Sequence, residues 1–229
     1  MGQIKTMLVI LFNLFVKITG WIPQKLFLRS KIFYENKSVQ SRSIKGGAII
    51  VSNHNSIMDF AVLMFLFPLR TLRCVVAEVV YQQNFFCTLF LKMMGTVRVH
   101  RNGHDFGFLE KSAAILKKGG VVEIYPEARL PKAGEERPLP FTPSTVYLAL
   151  ETGAPIIPVY NTRKGISPNS AAVIIGNPIY LTELYDNTLS EKQNIENLTK
   201  LLRGKIIELK EQLEGNERKK ETQEESFFQ

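Results

Sequence analysis

The stretch AIIVSNHNSIMDF, residues 48–60, places a histidine and an aspartate five positions apart, directly after an apolar run. Imidazole has an ordinary pKa of about 6.5, so near neutral pH His54 could take a proton from a reacting group. A carboxylate beside the ring, here that of Asp59, could hold the productive tautomer and stabilise the imidazolium that forms. The pair therefore suggests general-base chemistry, whereas a structural alternative makes Asp59 the N-cap of a helix that begins at Phe60.

Short apolar runs alternate with longer helix-like segments through the middle of the chain. The predicted strands cover residues 48–52, 73–77, 96–101, 121–125, 155–160 and 171–176, and the predicted helices between them cover about 59–67, 79–93, 105–117 and 142–152. This alternation predicts an α/β fold with a mostly parallel sheet flanked by helices. In such sheets, functional side chains commonly follow the carboxyl ends of strands, which is where His54 falls.

A long amphipathic helix is predicted near the carboxyl terminus, over residues 191–214. Ser190 and Gln193 have the spacing of a capping box. Six apolar residues then recur along one helical face: Ile195, Leu198, Leu202, Ile206, Leu209 and Leu213. We expect Gly215 to end the helix and the polar residues that follow to be disordered.

The N-terminal fifth of the chain combines basic charge with apolar segments. Residues 1–45 hold eight Lys or Arg against one acid, so they carry +7 of the net charge of +8. The apolar run between Lys5 and Lys17 would make about 17 Å of helix, short of the roughly 30 Å hydrocarbon core of a bilayer. Together with GWIPQKLFLRSKIF (20–33), it predicts an N-terminal helix pair in a membrane interface, the alternative being ordinary helices packed on the core.

Other side chains narrow the class of protein. The two cysteines, Cys74 and Cys87, lie in apolar surroundings and favour a reducing compartment, which places the predicted membrane attachment on the cytoplasmic face. The three histidines have no metal-ligand spacing with them, so we expect no metal site. No nucleic-acid-binding motif accompanies the basic residues, so a nucleic-acid partner is not expected.

Four stretches in order resemble the conserved blocks of the lysophosphatidic acid acyltransferase (glycerolipid acyltransferase) family. They are NHNSIMD (53–59), GTVRVHR (95–101), YPEARLP (125–131) and GAPIIPV (153–159). The resemblance implies transfer of a fatty acyl group from a thioester, acyl-CoA or acyl carrier protein, to a lysophospholipid hydroxyl, with no further cofactor. The acceptor it favours is 1-acyl-glycerol-3-phosphate, giving phosphatidic acid.

The resemblance also implies roles for individual residues. His54 and Asp59 would be catalytic, with His54 as general base. The substrate-binding residues would be Asn53, Arg101, Glu127 and Arg129, the arginines gripping a phosphate and Glu127 positioning an arginine or a headgroup. Without the motif, Glu127 and Arg129 would be read as exposed loop residues.

The resemblance to the acyltransferase family predicts three regions. Residues 1–33 form the membrane-associating segment, 34–214 the acyltransferase domain, and 215–229 the disordered tail. The third block departs from the family pattern, because Ala128 replaces a glycine and the arginine at 129 is displaced by one position; alanine does not easily adopt a positive φ. Another lysophospholipid or an amine-derived lipid acceptor is thus an alternative, as is a catalytically silent lipid-binding protein. A hydrolase fits poorly because no G-x-S-x-G elbow occurs.

Overall fold

The computed structural model describes residues 2–100, 106–163 and 171–227, with side chains through residue 218. The helices are α1 (Gln3–Thr19), α2 (Trp21–Phe27), α3 (Asp59–Leu66), α4 (Glu78–Tyr81), α5 (Phe85–Met94), α6 (Gly107–Leu116), α7 (Ser144–Thr152) and α8 (Glu191–Phe227). The strands are β1 (Ser30–Tyr34), β2 (Ala48–Ser52), β3 (Leu72–Ala77), β4 (Val97–Val99), β5 (Val121–Ile124), β6 (Ile156–Asn161) and β7 (Ala171–Ile175), and a 3₁₀ helix covers Leu181–Leu184.

These strands form one seven-stranded sheet in the order β1-β7-β6-β2-β5-β3-β4. Every neighbouring pair is parallel except β6 and β7, which are antiparallel. The predicted α/β fold with a mostly parallel sheet is therefore confirmed. The central strand β2 is buried along its whole length, as expected for a parallel sheet that helices cover on both faces.

Two apolar layers lie on the two faces of the sheet. Because side chains alternate along a strand, Ile49 and Val51 pack with α6, α7 and α8, whereas Ile50 packs with α3. The six apolar residues predicted to line one face of the C-terminal helix are all buried in the first of these layers. The Ser190 and Gln193 capping box is also present, since Ser190 N–H donates to Gln193 Oε1 at 3.0 Å and Gln193 N–H donates to Ser190 Oγ at 3.3 Å.

Some predicted elements differ from those observed. The helix predicted over 79–93 is two helices, because the Asn84 side chain caps α5 by accepting the N–H of Cys87 at 2.7 Å. The prediction that Gly215 ends the last helix is wrong, and residues 215–227, predicted as a disordered tail, are helical. One glycine costs a helix only about 1 kcal/mol, and the residues after Gly215 are mostly good helix formers.

Strand β1 was missed, because its residues 30–33 were assigned to the N-terminal apolar segment. Ser30–Tyr34 pairs in parallel with β7, so the sheet begins before the predicted start of the domain at residue 34. β1 is an edge strand in which only Phe33 is buried, while Lys31 is exposed and the other residues are partly buried. Such a strand lacks the continuous apolar run that marked the others.

Helix α1 is joined to the body by specific polar contacts. Asn13 Nδ2 donates to the carbonyl of Met94 at 3.1 Å, and Lys17 Nζ donates to the carbonyls of Phe67, Pro68 and Arg70 at 3.2, 3.0 and 2.6 Å. Burial lowers the pKa of Lys17 to about 8. Within the described residues no single helix is long and apolar enough to cross a membrane, although α1 and α2, bent by 53° at their junction, together have the length and apolar composition of a membrane span.

Candidate active site

The candidate site lies where three central strands end. His54 follows β2, Tyr125 follows β5, and Asn161 is the last residue of β6. Since β2 is parallel to both neighbours, the three carboxyl ends meet at the same edge of the sheet. Polar side chains from distant parts of the sequence therefore converge there, at the edge where α/β proteins commonly bind ligands.

His54 and Asp59 form the predicted pair. Nδ1 of His54 lies 3.0 Å from Oδ2 of Asp59, and the histidine side chain is 21% exposed while the aspartate is fully buried. The same carboxylate oxygen accepts the N–H groups of Asn55 at 2.7 Å and Ser56 at 2.9 Å. A carboxylate that accepts both backbone N–H groups favours the imidazole tautomer with its proton on Nδ1, and this tautomer leaves Nε2 as the basic nitrogen.

The alternative role of Asp59 as a helix N-cap is wrong. Helix α3 begins at Asp59 itself, after Met58, and no side chain caps it. The carboxylate turns back toward the loop, where it receives the N–H groups of Asn55 and Ser56. Its negative charge still lies in the first turn of the helix, where the helix dipole stabilises an anion.

Glu127 was predicted to position an arginine or a headgroup, or else to be an exposed loop residue. The structure shows a buried carboxylate, 5% exposed, with each oxygen accepting one backbone N–H. Oε1 accepts from His54 and Oε2 accepts from Leu139, both at 2.9 Å. Burial raises the pKa of Glu127, and these two hydrogen bonds oppose the rise. The side chain thus fastens the His54 loop to the chain segment around Leu139.

Asn53, which was predicted to bind substrate, also makes its side-chain hydrogen bonds within the protein. It is 1% exposed, and its side-chain amide pairs with the backbone of Asn161. Nδ2 donates to the Asn161 carbonyl at 2.9 Å, and Oδ1 accepts the Asn161 N–H at 2.8 Å. Asn55 Nδ2 donates to the same carbonyl at 2.8 Å. Asn53 therefore joins the ends of β2 and β6, one residue before His54.

Of the two arginines that were predicted to bind phosphate, the structure describes Arg129. Arg101 lies outside the described residues. Arg129 is exposed and makes a bidentate ion pair with Glu135, in which the guanidinium donates to Oε2 at 2.7 Å and to Oε1 at 2.8 Å. Glu135 also accepts the N–H of Lys132 at 2.7 Å, and the hydrogen bond from Arg129 is the main cause of its lowered pKa, about 2. The guanidinium thus already holds a carboxylate, the kind of planar anion that it binds best.

Ala128 adopts the backbone conformation that its residue type makes unfavourable. Its φ is +58°, the left-handed region, and it is the one non-glycine residue with positive φ among those described. The replacement of glycine by alanine, which does not easily adopt a positive φ, therefore does not prevent one here. The loop keeps a glycine-like path at a steric cost of roughly 1–2 kcal/mol.

Sequence reasoning missed Tyr125, which lies against His54, and Glu123, which binds Tyr125. The ring of Tyr125 stacks on the imidazole with centroids 4.4 Å apart and planes 24° apart. Its hydroxyl donates to Oε1 of Glu123 at 2.5 Å. The available signal was a single acid within the apolar strand VVEIY (121–125).

Arg163 is a third residue that was missed, and no sequence pattern marks it. It is fully buried, and its guanidinium donates to the carbonyls of Phe27 at 3.4 Å and Arg29 at 3.2 Å. Its backbone N–H donates to Oδ1 of Asn161 at 3.1 Å. Arg163 therefore attaches the end of α2 to the same end of β6 that Asn53 holds.

No three His, Cys, Asp or Glu side chains in the described parts of the chain converge to form a metal site. The predicted site residues that can be placed, apart from Arg129, surround the His54 loop. The site therefore offers a partly exposed imidazole, ordered by a buried carboxylate, at the edge of a parallel sheet.

Residues 31–162 match the family model described as Acyltransferase. This match covers more than half of the chain, which therefore belongs to the acyltransferase family.

Two curated relatives carry more specific names. The chain is 30% identical over 118 residues to the 1-acyl-sn-glycerol-3-phosphate acyltransferase of Cocos nucifera, a match that covers 50% of this chain and 37% of that protein. It is 28% identical over 158 residues to the 1-acyl-sn-glycerol-3-phosphate acyltransferase beta of Homo sapiens, covering 65% of this chain and 56% of that protein. The matches thus span between about a third and just over half of the relatives' length.

A solved structure shares the fold. The 1-acyl-sn-glycerophosphate (LPA) acyltransferase PlsC from Thermotoga maritima superposes with a TM-score of 0.57 at 19% sequence identity. The match covers 79% of this chain and 73% of that one. The mostly parallel sheet flanked by helices is therefore an architecture that the two proteins have in common.

Proposed function

We propose that this protein is an O-acyltransferase that moves a fatty acyl group from an acyl thioester to the hydroxyl of a lysophospholipid. The observation that carries the proposal is the contact of 3.0 Å between Nδ1 of His54 and Asp59, which leaves Nε2 as a base at the partly exposed edge of the sheet. The family match and the names of the two curated relatives support this reaction class. The leading acceptor is 1-acyl-glycerol-3-phosphate, which would give phosphatidic acid.

In the proposed reaction, Nε2 of His54 takes the proton of the acceptor hydroxyl as its oxygen attacks the thioester carbonyl. Asp59 stabilises the imidazolium that forms. The tetrahedral intermediate then collapses, the carbon–sulfur bond breaks, and the thiolate takes the proton from His54. The products are the acylated lipid and free CoA or carrier-protein thiol, so every atom and proton is accounted for.

A covalent acyl-enzyme is not part of the proposal. Burial raises the pKa of the Cys74 thiol well above its ordinary value, so its nucleophilic thiolate form is disfavoured. The serines near His54 are Ser52, the last residue of β2, and Ser56, in the loop that follows, and both are buried. Direct attack by the acceptor hydroxyl is therefore the simpler route.

The arginines are proposed to bind the acceptor phosphate. Arg129 would exchange its Glu135 partner for the phosphate, which it can hold with the same two donors. Arg101 is proposed to act with it. The Arg129–Glu135 pair also favours the second candidate, an acceptor with a different headgroup, because a phosphate must compete with a carboxylate that is already in place.

Membrane attachment is proposed through α1 and α2, on the cytoplasmic face. Their exposed apolar residues include Leu11, Leu14, Phe15, Ile18, Trp21, Ile22, Leu26 and Phe27, and α5, which packs on α1, adds the exposed Phe85 and Phe86. Lys17, by contrast, is bound to three carbonyls and contributes less to lipid binding than the sequence suggested. Docking there would let the acceptor's acyl chain remain in the bilayer during transfer.

The proposal is tested by transfer of a labelled palmitoyl group from CoA to a panel of lysophospholipids in mixed micelles, repeated with acylated carrier protein. We expect a phospholipid product with at least one donor, and highest kcat/KM with 1-acyl-glycerol-3-phosphate. Preference for another headgroup would select the second acceptor class. No product with either donor would reject the enzyme and leave the silent lipid-binding protein.

A further inference from the structure

Tyr125 lies against one face of the His54 ring. Because side chains alternate along a strand, Tyr125 and Glu123 point to the same face of the sheet as α3. The Tyr125 ring is 4.4 Å from the imidazole, centroid to centroid, and the Tyr125 hydroxyl donates to Glu123 Oε1 at 2.5 Å. Asp59 holds one ring nitrogen of His54 while Tyr125 covers its face, so two independent contacts define the orientation of the imidazole.

Glu123 is fully buried within the sheet. The titratable groups that face it are Tyr125, Cys74 from β3 and Asp59 from α3. The pKa of Glu123 is raised to about 8, mainly by burial and in addition by the negative charge of Asp59, against the lowering effect of the hydrogen bonds from Tyr125 and Cys74. At neutral pH the carboxyl group is therefore mostly uncharged, which limits the negative charge near the Asp59–His54 pair.

We infer that Glu123 and Tyr125 are positioning residues for His54, a role that rests on the proposed function of His54 as the base. The neutral carboxyl of Glu123 fixes the Tyr125 hydroxyl, and the Tyr125 ring fixes the plane of the imidazole. Neither residue touches the reacting atoms. Their effect is to hold Nε2 in the direction of the acceptor hydroxyl, and it falls on kcat more than on KM.

The test combines kinetics with an NMR titration of the full chain. Glu123→Gln keeps an acceptor oxygen for Tyr125 but cannot ionise, Tyr125→Phe keeps the ring without the hydroxyl, and Tyr125→Leu removes the ring. Tyr160→Phe is the matched control, since Tyr160 is a buried tyrosine in the other apolar layer. His54→Ala assigns the His54 ring resonances.

We expect Tyr125→Leu to lower kcat by roughly tenfold to hundredfold with little change in KM. Tyr125→Phe, which keeps the ring, should retain most of the wild-type kcat. The His54 ring resonances of the wild type should show an inflection near pH 8, where Glu123 ionises, and Glu123→Gln should remove it. Unchanged kcat in a folded Tyr125→Leu variant would overturn the inference. An inflection near pH 8 that persists in Glu123→Gln would overturn the inference as well.

Circular dichroism establishes whether Tyr125→Leu folds. If Tyr125→Leu does not fold, two other results would support the inference. One is the loss of the inflection in Glu123→Gln, and the other is a fall in kcat for Tyr125→Phe that is greater than the fall for Tyr160→Phe. The titration needs no turnover. Absence of acyl transfer by the wild type would therefore reject the proposed function, while the NMR result would still show whether Glu123 and Tyr125 are coupled to His54.

Discussion

The side-chain amide of Asn53 pairs with the backbone of Asn161, through contacts of 2.9 Å to its carbonyl and 2.8 Å to its N–H. This pairing continues the β2–β6 ladder through a side chain, directly before His54. The loop that carries His54 therefore begins at a fixed point, and the side chain of Asn161 in turn accepts the N–H of Arg163, whose guanidinium contacts the end of α2.

Replacing Asn53 with alanine should destabilise the fold without weakening substrate binding selectively. The Asn161 N–H would lose its acceptor in a buried place, at a cost of about 1–3 kcal/mol, whereas its carbonyl keeps the contact from Asn55. We expect the free energy of unfolding and kcat to fall, with KM for the acceptor within about twofold of the wild type. A selective rise in KM with unchanged stability would show instead that Asn53 binds substrate.

Ala128→Gly should stabilise the protein. Glycine removes the steric cost of φ +58° but gains entropy in the unfolded chain, for a net gain of about 1 kcal/mol. Ala133→Gly, in the same exposed loop but without a positive φ, should lower stability by about 0.5–1 kcal/mol. Urea denaturation of both variants measures the difference, and equal destabilisation would contradict the assigned loop conformation.

Glu123 should make stability depend on pH. Its pKa is about 8 in the folded protein and 4.5 ordinarily, so the folded state keeps a proton that the unfolded chain releases between these values. The stabilisation is fully present below pH 4.5 and is lost as the pH rises to 8.

Glu123→Gln removes this dependence. The stability of the variant relative to the wild type should therefore increase by roughly 2 kcal/mol between pH 5 and pH 7. Denaturation curves at several pH values measure it, with the exposed Glu151→Gln as control. Parallel pH dependence in Glu123→Gln and the wild type would rule out a shifted Glu123.

The exposed apolar face of α1 and α2 should determine liposome binding. Phe15, Ile18 and Trp21 are more than half exposed, and each contributes about 1.5–3 kcal/mol when buried in lipid. Changing all three to serine should weaken partitioning onto anionic liposomes by roughly 100-fold or more. Leu184→Ser with Leu201→Ser, exposed apolar residues outside these helices, should have no such effect in the same sedimentation assay. Equal release of both variants from the liposomes would contradict a membrane role for α1 and α2.

The elements that sequence reasoning found have local signals. Continuous apolar runs identified six strands, and the stripe from Ile195 to Leu213 identified the last helix, because a parallel sheet and its covering helices bury such residues. His54 and Asp59 are five residues apart, so the turn between a strand and a helix is enough to bring them together.

The features that were missed depend on contacts between distant segments. β1 is defined by its pairing with β7, and the stacking of Tyr125 on His54 depends on the register of β5 against β2. The sequence did not show that the carboxylate of Glu127 is held inside the protein, because its hydrogen-bond donors are the backbone N–H groups of His54 and Leu139, which side-chain types do not reveal. Residue type gives the chemistry of a group, but only the fold shows which partner it has.

The central claim is that His54 is the base for direct acyl transfer, and transfer of labelled palmitate by the wild type and by His54→Ala tests it most directly. Both proteins would be supplied with the best donor and acceptor, and their unfolding curves compared. We predict product from the wild type, a loss on the order of 10³-fold or more in His54→Ala, and similar unfolding curves. Turnover by a folded His54→Ala variant within tenfold of the wild type would contradict the account.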